Sequence, residues 1–121
     1  MLVVALGITG GAYGFTWEQL GGDIDGEAFN DKSGQSVSLS SDGTIVAVGA
    51  SYNYNGSFIQ AGHVKVYNYS LTNGEWDQLG NDIDGEAAGD KSGYSVSLSS
   101  DGTIVAVGAL KNNGVNGTDS G

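Results

Sequence analysis

The chain has 121 residues, with 22 Gly, no Pro and no Cys, and its 14 acidic and 4 basic side chains leave a net charge of −10. That length supports one modest domain, and the lack of cysteine excludes disulfides, thiolate zinc sites and thiol catalysis. The acidic balance argues against nucleic acid and anionic membranes, which are bound chiefly by Lys and Arg; 39% hydrophobic and 15% charged residues do not describe a disordered acidic tail.

Residues 1–14 are apolar, but no stretch approaches the ~20 apolar residues of a membrane-spanning helix, so no membrane insertion is expected. The segment lacks the basic start of a signal peptide, and Gly7, Gly10 and Gly11 interrupt it. It reads as a strand followed by a loop, with the end of a signal peptide as the alternative.

From Trp17 onward the sequence repeats. Residues 17–50 recur as 76–109 at a constant offset of 59, with 29 of 34 positions identical; the exceptions are residues 18, 22, 29, 30 and 35. Such self-similarity marks a unit that stacks on its neighbours. The segments that follow, 51–62 and 110–121, diverge and are rich in Asn, Gly and Ser, as variable surface loops are.

Inside each unit the apolar period is two. Residues 36–40 alternate, placing Val37 and Leu39 on one face. Ser41, Asp42 and Gly43 supply turn chemistry with a positive φ at Gly43. Residues 44–50 form a continuous apolar run, as expected of a strand covered on both faces. Residues 64–69 alternate again, 71–75 turn the chain, 76–79 make a fourth short strand, and 80–86 form a corner. No helix is expected anywhere. Four short antiparallel strands every 59 residues fit one blade of a β-propeller or one turn of a related β-repeat, and predict an all-β, β-propeller-like repeat with four-stranded blades, about two per chain. Residues 1–16 form an N-terminal strand and loop, 17–75 the first repeat, and 76–121 a second that lacks its third strand.

The segments Asp31-Lys-Ser-Gly34, Ser36-Val-Ser-Leu39, Val48-Gly-Ala50 and Gly62-His-Val-Lys-Val-Tyr67 resemble the FG-GAP repeat, the blade unit of integrin α-subunit propellers. The string Trp-x-Gln-Leu-Gly-x-Asp-Ile-Asp-Gly-Glu-Ala is similar to a bacterial and algal subtype of that family. The Phe-Gly and Gly-Ala-Pro segments that name the family stand here as Ser33-Gly34 and Gly49-Ala50-Ser51, and in the second copy as Ser92-Gly93 and Gly108-Ala109-Leu110. The family's acidic calcium turn is shortened to Ser41-Asp42-Gly43, too few oxygens for the six to eight that calcium takes. The resemblance implies a propeller that is extracellular or on a cell surface.

Asp23, Asp25 and Glu27, repeated as Asp82, Asp84 and Glu86, are the densest acidic constellation. Carboxylates at alternate positions with Asp31 or Asp90 nearby suit a hard cation such as calcium. The competing reading is a solvated corner in which Asp25 or Asp84 caps a turn, with Gly26 or Gly85 at positive φ. No other cofactor is expected. His63 is the only histidine and opens a strand, the serines have no neighbouring base, and each acidic candidate occurs twice, so no enzyme is expected. Trp17 and Trp76 recur at one strand position, which points to packing between blades. Tyr52 and Tyr54 lie in a variable loop and suit stacking on sugars or on a protein. Asn55, Asn68 and Asn116 head glycosylation sequons in or beside expected loops, usable in a secreted glycoprotein.

These features predict a structural or adhesive repeat protein that assembles head to tail, as a ring or filament. Its other expected partners are glycans or cell-surface proteins. In that assembly Leu2, Val3, Val4, Ala5 and Leu6 of one chain pair with the strand holding Ile104, Val105, Ala106 and Val107 of the next, because an open apolar edge invites strand addition. The alternatives are a carbohydrate- or protein-binding propeller module, or a fragment of a larger adhesion protein.

Overall fold

The computed structural model of the chain describes residues 1–11, 14–54, 59–114 and 117–121. Among these the molecule is all-β, with nine strands and no α-helix. The strands are β1 (Ala5–Gly10), β2 (Gly14–Gln19), β3 (Ser36–Leu39), β4 (Ile45–Ala50), β5 (His63–Ser70), β6 (Glu75–Gln78), β7 (Ile83–Asp84), β8 (Ser92–Leu98) and β9 (Val105–Ala109). They form three antiparallel sheets: the hairpin β1-β2, the meander β3-β4-β5-β6 with β7 also on β5, and the hairpin β8-β9. Among the described residues no sheet closes into a barrel.

β4 is the centre. It pairs with β3 from Ser36↔Gly49 to Leu39↔Val46, and with β5 from Ala50↔His63 to Ile45↔Asn68. Val46, Ala47, Val48 and Ala50 are buried, as the apolar run predicts. Val46 and Val48 join Ile24 in the core, and Leu2, Tyr67 and Trp76 pack against it. β8 covers β3 and β4 from the second repeat. That approach is a backbone contact: a Cβ at Gly49 would collide with the carbonyl oxygen of Gly93. Gly93 sits at φ 80 in the bulge between Ser92 and Ser95, a conformation natural to glycine.

The turn at 40–45 follows its sequence chemistry. Gly43 N–H donates to Ser40 O at 3.0 Å, with Gly43 at φ 74. Asp42 Oδ1 accepts from Ser40 Oγ, Thr44 N and Thr44 Oγ1 at 2.7–3.0 Å. The second copy repeats every bond, with Asp101 accepting from Ser99 and Thr103, and Gly102 at φ 75.

Several expectations are corrected. The N-terminal strand starts at Ala5, not Leu2. One edge of residues 2–6 is already paired within the chain: Leu2 bridges Ile24, Leu20 N–H donates to Val4 O, and Ala5 and Leu6 face Gln19 and Glu18. The 80–86 corner contains a short strand, β7, on which Ile83 and Asp84 pair with Val64 and His63. Neither Gly26 nor Gly85 has positive φ. Gly85 is required instead because a Cβ there would collide with Ala61 O. Val37 and Leu39 do share a face of β3, but it is the open one, at 48% and 49% exposure. Its serine face turns to β8, where Ser36 Oγ donates to Gly93 O and Ser38 Oγ accepts from Leu98 N.

Replacing Gly43 with Val should lower unfolding stability by about 1–3 kcal/mol, since a β-branched side chain is strained at positive φ. Denaturant unfolding reads this directly. An unchanged midpoint would mean that the turn does not hold that conformation.

Candidate functional site

Two regions gather chemistry-bearing residues: the acidic corners with their neighbours, and the sheet edges at either end of the strand series. In the first corner Asp23 accepts from Gln19 Nε2 at 2.8 Å, and Asp82 accepts from Gln78 Nε2 at 2.6 Å in the second. The alternation Asp-Ile-Asp turns the carboxylates outward and Ile24 into the core. Asp31 is buried; its Oδ2 accepts from Ala28 N at 2.8 Å and Asn53 Nδ2 at 3.0 Å. Asp90 does the same with Ala87 and Asn112.

Neither expected triad, Asp23-Asp25-Glu27 or Asp82-Asp84-Glu86, gathers its ligand atoms together. Among the described residues, the group whose ligand atoms lie within 4.8 Å of one another is Glu27, His63 and Asp82, drawn from both repeats and from β5. A cation of the chain itself stands there. Lys65 Nζ, on β5, bonds Glu27 Oε1 and lies 3.7 Å from Asp82, and His63 Nδ1 is 3.9 Å from the same Asp82 oxygen. Burial alone would lower the pKa of the Lys65 ammonium. The hydrogen bond that Lys65 donates to Glu27 and the charges of Asp82 and Glu27 outweigh it and raise the pKa above 10.5. The cluster is therefore an internal ion-pair network that ties the two corners to β5.

Tyr52 is pinned rather than free. Lys91 Nζ donates to its hydroxyl at 2.9 Å, and Lys32 Nζ lies 3.7 Å from its ring centroid. The Lys91 hydrogen bond, followed by the Lys32 charge, pulls the Tyr52 pKa below 10.0. Tyr54 remains exposed. Asn68 lies inside β5, opposite Ile45 and Asp77, with its amide donating to Tyr69 O at 3.2 Å, and not in a loop. Asn55 and Asn116 lie outside the described residues. The tryptophans differ: Trp76 is half-buried and its indole donates to Leu20 O at 2.8 Å, whereas Trp17 is 69% exposed.

The edges carry the strongest contrast. Residues 104–109 are identical to 45–50. Yet β4 is paired on both sides, while among the described residues β9 pairs only with β8. Ala47 is fully buried and Ala106 is exposed; Ile45 is half-buried and Ile104 is 69% exposed. At the other end, among the described residues β1 pairs only with β2, and Leu6, Ile8, Phe15 and Trp17 are exposed. The total surface is 7108 Å², against about 6,100 Å² for a compact monomer of this mass. Among the described residues no helix is long and apolar enough to cross a membrane.

Comparison with family models, curated proteins and solved structures finds no match.

The ion-pair network gives a pH expectation. A raised lysine pKa means that the bridge contributes fully below pH 10.5, the ordinary lysine value, and that its contribution is lost as pH rises through the higher folded-state value. Glu27→Gln should lower the Lys65 pKa, read from its side-chain NMR titration. An unchanged titration would contradict the bridge.

Proposed function

We propose that this chain is a non-enzymatic structural or adhesive module, built of FG-GAP-like propeller repeats, that joins copies of itself head to tail outside the cell or on its surface. The observation that carries the reading is the strand sequence Ile-Val-Ala-Val-Gly-Ala, buried from Val46 to Ala50 in β4 but exposed at Ile104 and Ala106 and only half-buried at Val105 and from Val107 to Ala109. A segment identical to a buried core strand is suited to burial, and here one edge and one face of it lack cover. Apolar surface left open in this way marks an association site. An unpaired strand edge adds main-chain hydrogen bonds to that drive.

The two open ends differ from one another, so their contact is heterologous and propagates, closing as a ring or running on as a filament. Tyr54, exposed beside the first variable segment, is then available to glycans or cell-surface proteins. The acidic carboxylates keep the assembly soluble, and because every copy carries −10 they also oppose its growth.

Sedimentation velocity across micromolar to millimolar concentration should show association that strengthens with added salt. Screening shortens the reach of the like-charge repulsion, to about 10 Å at 0.1 M, while leaving apolar burial intact. A species that stays monomeric at low and high salt would overturn the reading.

A further inference from the structure

The chain contains a template for its own docking. Residues 2–6 take the place beside β2 that residues 64–68 of β5 take beside β6. Leu2 bridges Ile24 as Val64 pairs with Ile83. Leu20 N–H donates to Val4 O at 2.7 Å, and Leu79 N–H donates to Val66 O at 2.7 Å. Ala5 faces Gln19 as Tyr67 faces Gln78. In β5 the opposite edge of these residues is taken by β4, through Gly49↔Val64, Ala47↔Val66, Val46↔Tyr67 and Ile45↔Asn68. In the N-terminal segment that edge has no strand among the described residues.

We infer that β9 of one copy pairs antiparallel with residues 2–6 of a second copy in the β4-β5 register: Gly108↔Leu2, Ala106↔Val4, Val105↔Ala5 and Ile104↔Leu6. This rests on the self-association proposed above and fixes its geometry. The same step seats the sheet faces. Within the chain, β8 covers the serine face of β3 and leaves Val37 and Leu39 open. On β8, with the same Ser-Val-Ser-Leu sequence, Val96 and Leu98 are half-buried, while Ser95 and Ser97 are exposed. The faces left open are thus the two halves of the contact already formed once. Ser95 Oγ would donate to Gly34 O of the second copy, and Ser97 Oγ would accept from its Leu39 N–H. Gly108 would meet the second copy's Gly34 as Gly49 meets Gly93, and Gly34, at φ 85, has the conformation of Gly93 at φ 80. Trp17 of the second copy reaches Leu79 O of the first, the bond that Trp76 makes to Leu20. One difference from the template is at Val3, which stands where Lys65 bonds Glu27, so Glu86 gains no lysine there.

The register is testable by disulfide trapping, because the chain has no cysteine of its own. Tyr69 N–H donates to Thr44 O at 2.8 Å, so Thr44 and Tyr69 form a hydrogen-bonded pair. The adjacent pair, Ile45↔Asn68, is then a non-hydrogen-bonded one, with Cα atoms about 4.5 Å apart, and so is its counterpart Ile104↔Leu6. Both Leu6 and Ile104 are exposed, at 52% and 69%, so cysteines there leave the core untouched. The variant Leu6→Cys/Ile104→Cys, oxidised by glutathione disulfide at an associating concentration, should give a ladder of covalent dimers and higher species on a non-reducing gel. The variant Ala5→Cys/Ile104→Cys, with its thiols on opposite faces, should give almost none. Self-association of the unmodified chain without a 6/104 ladder, or equal ladders from both variants, would overturn the register and leave the proposed function standing. A chain that sediments as a monomer throughout would leave these edges to a different occupant and overturn both.

Discussion

The contact between the two repeats depends on the absence of a side chain at Gly49 and Gly93. At this crossing the backbones of β4 and β8 approach so closely that a Cβ on Gly49 would enter the Gly93 carbonyl, and one on Gly93 would enter that of His63. The bulge at Gly93 turns that carbonyl toward Ser36 Oγ, which donates to it at 2.7 Å. With the backbones this close, small polar side chains fill the remaining space, and the half-buried serine face of β3 meets β8 through the hydrogen bonds of Ser36 and Ser38. The contact is therefore directional, and a directional contact between near-identical units sets a fixed step that further units can repeat.

The electrostatics are arranged around the same step. A chain with 14 carboxylates and 4 lysines has few cations to place. Lys65 holds Glu27 and lies near Asp82, and Lys32 and Lys91 converge on Tyr52. Lys65 and Lys91 thus link one repeat to the other, while Lys32 stays within the first. Among the remaining carboxylates, Asp42 and Asp101 bond their own turns, with pKa values held below 3.8 by Thr44 and Thr103, and the buried Asp31 and Asp90 hold Asn53 and Asn112.

Much of the local structure was legible. Period-two alternation located β3, β5 and β8, the continuous apolar run located β4, and Ser-Asp-Gly located the tight turn with its positive φ. What could not be read depends on partners distant in sequence. The alternation of β3 does not say which face is buried, because β8 arrives from 57 residues away at Gly93 and selects the serines. Ile24 and Ile83 are single apolar residues among carboxylates and glycines, too short a signal to mark a core residue or a strand. The Lys65-Glu27 bridge spans 38 residues and nothing local marks it, so the carboxylates read as a cation site. Gly26 and Gly85 looked like turn glycines, although for Gly85 the reason is a neighbouring backbone.

If β9 is completed by a second copy, β4 and residues 104–109, one sequence in two settings, differ only in what covers them. Amide hydrogen exchange measures that difference residue by residue. Val46 and Val48 should be protected at every concentration, because β4 is paired on both sides. The β9 amides that point away from β8 should exchange freely in dilute solution and approach the protection of their β4 counterparts as concentration rises. Outer-edge amides that exchange freely at all concentrations would contradict the claim, and so would β9 amides already as protected as those of β4 in the dilute monomer.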